Sequence, residues 1–209
     1  LKLLNWENPI FLSTGGGTLD DIKRAHDNIT KYNAKLSILH CTASYPAAIE
    51  DLNLNVIKTL RKEFPNNVIG LSDHENGIDA GPIAYMLGAR IFEKHFTLNR
   101  SWKGTDHSFS LEPSGLKRFV RNLNRVPEML GSHEKKILES EINPLKKMAK
   151  SIVANEFIKK GSILNSDSIT FKSPGGGIYP SEYKKIIGLK AKKDIQIDEK
   201  IEYDFLDEQ

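Results

Sequence analysis

The chain has 209 residues, 39% of them hydrophobic and 27% charged, with a formal net charge of +3. That length supports one large domain or two small ones with a proper core, and two are expected. No apolar run approaches the roughly 18 residues of a membrane span, and the lysines lie without arginine clusters or interleaved aromatics, so neither a membrane nor a nucleic-acid partner is expected.

Residues 1–8 read as the tail of a preceding element. Pro9-Ile10-Phe11-Leu12-Ser13-Thr14 is apolar and β-prone, which predicts a buried strand. Gly15-Gly16-Gly17 then makes a turn. Thr18 with Asp21 three residues later is a helix-start signal, and Leu19, Ile22, Ala25 and Ile29 keep helical spacing to about Lys31. No Gly-Lys-Ser/Thr follows the glycines, so they read as a tight turn and not as a Walker loop.

Lys35 to Cys41 predicts a second strand, and a helix is expected from about Leu52 to Phe64. Cys41 is the only cysteine, which excludes an intrachain disulfide and fits a reducing compartment, the cytoplasm. A buried, unreactive thiol is the expectation at a strand end.

The next stretch twice ends a short apolar run on a histidine. Val68-Ile69-Gly70-Leu71-Ser72 leads into Asp73 and His74, and Ala89-Arg90-Ile91-Phe92-Glu93-Lys94 leads into His95. Side chains alternate along a strand, so Ser72 shares a face with His74, and Ile91 and Glu93 share one with His95. Between the runs GIDAGPIAYMLG has about the length of a helical crossover, which places the histidines side by side at the carboxyl ends of neighbouring parallel strands. That is where α/β proteins put ligands.

Two neutral imidazoles there suit a divalent first-row metal and leave positions open for water and a substrate oxygen. Glu93 would accept the other ring N–H of a bound histidine or hold the site's water. The alternative is a pair of hydrogen-bonded strand-end histidines without metal.

A helix from about Ser114 to Leu130 completes a β-α-β-α-β-α-β-α order, which predicts a parallel sheet with right-handed crossovers. The pattern alone does not separate part of a barrel from a small open sheet. After Gly131 the composition turns polar and charged, predicting a linker over residues 132–148 between a first domain, 1–131, and a second, 149–209.

In the second domain strands are short. A weak repeat sets Ala154, Ile158, Gly161 and Leu164 against Ala191, Ile195, Asp198 and Ile201 at matching spacings, which suggests a duplicated β-turn-β unit. Between the copies lie the loop Ser173-Pro174-Gly175-Gly176-Gly177 and a short helix over about Ser181 to Ile186.

The segments ILHCTASYP, IGLSDHENG, ARIFEKHFT, WKGTDHSFSLEP and KSPGGGI together resemble the sialic acid synthase family, whose carboxyl-terminal domain is the antifreeze-like or SAF domain. The resemblance implies an α/β fold: the carboxyl-terminal half of a (β/α)8 TIM barrel, strands five to eight, followed by a small β-rich SAF domain. It implies a transferase that condenses phosphoenolpyruvate with an N-acyl-mannosamine-type sugar, releasing phosphate and making a nonulosonic acid.

Carried over residue by residue, His74 and His95 match ligands to Mn2+ or Mg2+. Ser13 and Ser72 match serines that help hold phosphoenolpyruvate, and Tyr45 and Asp106 match residues that contact the acceptor sugar. Ala43 stands where some members have an asparagine, and Ser173 where some have an arginine that reaches a neighbouring subunit's sugar site, with Lys172 beside it as a substitute. The resemblance also implies that the family's catalytic glutamate and phosphate-binding lysines lie outside this chain. A half barrel has open edges, so a homodimer or association with a separate amino-terminal barrel half is expected. A non-catalytic sugar- or protein-binding remnant is the competing reading.

Overall fold

A computed structural model describes residues 8–32 and 35–207. Residues 1–7, most of the stretch expected as a preceding tail, lie outside the described residues, as do 33–34 and 208–209. The chain divides into two compact units, 1–132 and 133–209. No described helix is long and apolar enough to cross a membrane.

The first unit alternates strand and helix: β1 (Ile10–Ser13), α1 (Leu19–Thr30), β2 (Leu36–Cys41), α2 (Val56–Glu63), β3 (Val68–Asp73), α3 (Ala80–Leu87), β4 (Ile91–Lys94) and α4 (Pro113–Leu130). The four strands form one parallel sheet in the order β1-β2-β3-β4. Each strand lies beside its predecessor with no reversal of order, which is the progression of a (β/α)8 barrel and not of a doubly wound sheet. The unit is a parallel half-barrel.

Local chemistry sets the helix ends. The Thr18 side chain accepts from the Asp21 N–H while the Asp21 carboxylate accepts from the Thr18 N–H, capping α1 reciprocally. Gly88, at φ +108°, ends α3 in the left-handed region where a side chain is costly. Pro113 opens α4 at a position that needs no donor.

Strand alternation then divides the sheet. One face carries Leu36, Ile38, Ile69 and Leu71, which pack with Ile22, Ile57, Leu60 and Ala84 of the helices as the core. Each fully buried isoleucine or leucine contributes about 1.5–3 kcal/mol. The other face carries Phe11, Ser13, Leu39, Cys41, Gly70, Ser72, Ile91 and Glu93, in register across the strands. Gly70 is required there, because a Cβ would collide with Leu39 and Ile91.

Charge fixes the ends of β3 and β4. Asp73 and Lys94 are register partners on the helix-facing side, and Lys94 Nζ lies 2.7 Å from Asp73 Oδ2 with both side chains almost wholly buried. The other Asp73 oxygen accepts the Glu75 N–H at 2.9 Å, and the Lys94 ammonium also donates to the Glu75 carbonyl. Glu75 is buried as well, and its Oε2 has no partner among the described residues. Burial pushes its carboxyl above the usual range, the Asp73 charge adds to that, and Lys94 opposes it.

The second unit begins with α5 (Glu139–Met148) and continues through β5 (Ser151–Ala154), β6 (Ile169–Lys172), α6 (Tyr183–Ile186), β7 (Lys190–Ala191) and β8 (Leu206–Asp207). Helix α5 occupies the stretch read as a linker. Glu141 accepts the Leu138 N–H at 2.8 Å, acids fill the first turn and Lys146 and Lys147 the last, so charge complements the helix dipole where burial contributes little. Strands β5 with β6 and β7 with β8 pair antiparallel.

The sequence repeat is a structural one. Ile158 and Ile195, equivalent in the two copies, bond to each other in both directions at 2.9 and 2.8 Å. Gly161 donates to the Ala191 carbonyl just as its counterpart Asp198 donates to Ala154, the counterpart of Ala191. Gly161 and Asp198 are both left-handed, at φ +86° and +67°. Ala154, Leu164, Ala191 and Ile201 of the two copies are buried in one core.

Two outcomes follow for stability. Lys94→Ala strands a buried carboxylate and is expected to cost about 3–5 kcal/mol in urea unfolding, whereas the paired change Asp73→Leu with Lys94→Met costs far less. For Glu75, a raised folded value means the native state holds the proton more tightly than the unfolded chain. Stability therefore falls as pH rises above 4.5 through the folded value, and Glu75→Gln, measured by denaturation midpoints across that window, removes the loss.

Candidate functional site

The two histidines follow directly on the charge-locked strand ends. Their rings stand edge to face with centroids 5.1 Å apart and an interplanar angle of 81°. Backbone bonds hold both residues: the Ala47 N–H donates to the His74 carbonyl at 3.0 Å, and the Leu111 N–H to the His95 carbonyl at 2.9 Å. His74 is buried and His95 partly so.

His74 Nδ1 lies 2.9 Å from the Thr42 carbonyl, which accepts, so the ring proton sits on Nδ1 and the Nε2 lone pair is left free. On His95 the Asp106 carboxylate lies 3.6 Å from Nδ1, and its attraction biases that ring towards the same tautomer. Cys41, beside His74, makes only a weak 3.8 Å contact with Nδ1.

Aromatic rings frame the pair. Tyr45 stacks obliquely on His74 with centroids 4.2 Å apart and meets His95 edge-on at 5.9 Å. Phe109, buried, packs against His95 at 5.1 Å and Tyr45 at 6.2 Å. These contacts restrict both imidazoles to narrow orientations.

Ser72 and Glu93 are register partners on the same sheet face, and the Ser72 hydroxyl donates to Glu93 Oε1 at 2.6 Å. Glu93 makes no hydrogen bond to either histidine among the described residues; the Thr42 carbonyl and Asp106 face their ring nitrogens instead. The register explains this, because Glu93 lies level with Ser72, two residues short of His95. Ser13 ends β1 on that face, level with Leu39 and Gly70; the cavity of about 140 Å3 that it lines lies against α1, with Asp21, Ile22 and Ala25, and includes neither histidine. Lys172 belongs to the second unit, where its ammonium pairs with Asp198 at 2.5 Å.

The donors that a metal would find here are two imidazoles. No cluster of three or more histidine, cysteine, aspartate or glutamate side chains suited to a metal occurs among the described residues. Two imidazoles side by side are a donor set that suits a divalent ion whose remaining positions go to water and substrate oxygens. Sequence reasoning missed Thr42, Phe109 and the Asp73–Lys94 pair. The pair had a signal, since opposite charges stand just before the two histidines in otherwise apolar runs; the loop residues had none.

The chain resembles known proteins along most of its length. The NeuB family matches residues 1–135, and the SAF domain matches residues 149–207. N-acetylneuraminate-9-phosphate synthase of Homo sapiens is 37% identical over 200 residues, covering 95% of this chain and 56% of its own length. N,N'-diacetyllegionaminic acid synthase of Campylobacter jejuni is 37% identical over 203 residues, covering 96% of this chain and 60% of its own. The crystal structure of a putative spore coat polysaccharide biosynthesis protein E from Chromobacterium violaceum superposes with a TM-score of 0.58 at 27% identity, over 99% of this chain and 62% of that one. The chain spans about three fifths of the length of these relatives. With a half-barrel ending in paired histidines and a duplicated second unit, the chain belongs to the NeuB family and carries a SAF domain.

Proposed function

We propose that this chain works in a nonulosonic acid synthase, which condenses phosphoenolpyruvate with an N-acyl-mannosamine-type sugar and releases phosphate. The observation that carries the reading is the His74–His95 pair, framed by Tyr45 and flanked by Asp106 at neighbouring strand ends. Relatives named as synthases of N-acetylneuraminate 9-phosphate, diacetyllegionaminate and pseudaminate support the substrate class.

His74 and His95 would hold Mn2+ or Mg2+ through Nε2. Such an ion supplies Lewis acidity towards a carbonyl oxygen. In the reaction C3 of phosphoenolpyruvate forms a bond to the sugar's aldehyde carbon, and the carbonyl oxygen gains the electron pair and a proton. Water adds at C2, the C2–O bond to phosphate breaks and inorganic phosphate leaves. Tyr45 and Asp106 would bind and orient the acceptor beside the histidines. Ser13 and Ser72 would bind phosphoenolpyruvate on the shared sheet face, with Glu93 orienting the Ser72 hydroxyl. Lys172, in the second unit, would serve a neighbouring subunit's sugar site.

Closing the sheet into a barrel requires further strands along the outer edges of β1 and β4. Phe11 on the site face is 54% exposed, which fits a face completed by more protein. A homodimer or association with an amino-terminal barrel half is the form in which activity is expected, and the cytoplasm, where phosphoenolpyruvate is made, is the compartment.

The test is phosphate release with phosphoenolpyruvate, Mn2+ and N-acetylmannosamine, its 6-phosphate or a dideoxy precursor of legionaminic acid. Release is expected when an amino-terminal barrel half is supplied, and His74→Ala or His95→Ala should lower it at least about 100-fold. No release with any acceptor in the complemented protein contradicts the synthase reading and leaves the non-catalytic binding protein.

A further inference from the structure

The loops that follow β3 and β4 carry the histidine site, and one side chain ties them together. Arg100 donates from Nε to the Ser108 carbonyl at 2.7 Å, and from one terminal nitrogen to that carbonyl and to Asn76 Oδ1 at 2.8 Å. Its backbone N–H donates to Glu112 Oε1 at 3.1 Å, just ahead of α4. Asn76 lies two residues beyond His74, and Ser108 two beyond Asp106. A planar fork can hold two such acceptors in a fixed relation, which a single ammonium cannot.

The rest of the second loop is built inward from this point. Asn99 Oδ1 accepts the Ser101 N–H, Thr97 Oγ1 lies 2.7 Å from His107 Nδ1, and the Ser110 hydroxyl donates to the Asp106 carbonyl at 2.6 Å. These bonds make the segment from Thr97 to Ser110 internally connected, but none of them reaches the loop after His74. Lys94, at the end of β4, bonds the Glu75 carbonyl, but from the segment Thr97 to Ser110 itself Arg100 alone supplies that link among the described residues.

We infer that Arg100 is a positioning residue that locks the two loops to each other and so fixes Asp106 and Phe109 against the histidine pair. The inference rests on the proposed histidine site only for its effect on metal binding; the coupling of the loops stands apart from it. Arg118 lines a cavity of about 270 Å3 together with Arg100, has an identical charge and makes none of these bonds, which makes it the control.

The experiment compares Arg100→Ala, Arg100→Lys and Arg118→Ala in the whole chain, by amide hydrogen exchange and by Mn2+ titration followed through water-proton relaxation. With Arg100→Ala, exchange is expected to rise about tenfold together in peptides covering 74–80 and 100–110, while Arg118→Ala leaves both at wild-type rates. Arg100→Lys should recover only part of the protection. Mn2+ affinity should fall about five- to tenfold with Arg100→Ala and stay unchanged with Arg118→Ala. A rise confined to 100–110, no rise at all, or full recovery by lysine overturns the inference. A wild-type chain that binds no Mn2+ contradicts the metal reading, and the exchange measurement still decides the role of Arg100.

Discussion

The buried ion pair between Asp73 and Lys94 is the constraint on which the site depends. It joins register partners at the carboxyl ends of β3 and β4, one residue before each histidine. Two charges so deeply buried are tolerable only when paired and hydrogen-bonded, and here Asp73 also receives the Glu75 N–H while Lys94 reaches the Glu75 carbonyl. A slip of one residue between these strands would leave both charges unpaired in the core, so the pair penalises every register but one. That register sets His74 beside His95.

Alternation does the rest. Because Asp73 and Lys94 face the helices, their neighbours Ser72 and Glu93 face the other way, where the Ser72 hydroxyl meets the Glu93 carboxylate. The same face runs across β2 and β1 through Cys41, Leu39 and Ser13, and Gly70 keeps it open where a side chain would not fit. The helix-facing side forms the core, and the other side carries Ser13, Ser72 and Glu93. Only at the strand ends do the two meet, through loops held by Thr42, Tyr45, Asp106 and Phe109.

Much of this was legible in the sequence, and the reasons are specific. The β-α alternation and the apolar runs ending on histidine report period and length, which survive without tertiary context. The repeat of Ala154, Ile158, Gly161 and Leu164 in Ala191, Ile195, Asp198 and Ile201 was legible because equivalent residues pair across the second unit's core. The partners of the histidines were not. Thr42 contributes a carbonyl that every residue possesses, and Phe109 reaches His95 from 14 positions further along the same long β4–α4 loop, a fold-back that no spacing signals. Glu93 has the right period but lies level with Ser72, so its carboxylate goes to that hydroxyl. Helix α5 was hidden because it buries no side chain and rests on capping and charge, which a reading based on apolar spacing passes over.

Two imidazoles stand together at neighbouring strand ends. Pulsed electron paramagnetic resonance of the Mn2+-loaded chain, with histidine nitrogen labelled, reads that arrangement directly through the couplings of coordinated nitrogens. Two histidine nitrogen couplings, reduced to one in either His74→Ala or His95→Ala, are the predicted result. A bound Mn2+ with no histidine coupling, or a spectrum indifferent to either substitution, would contradict it.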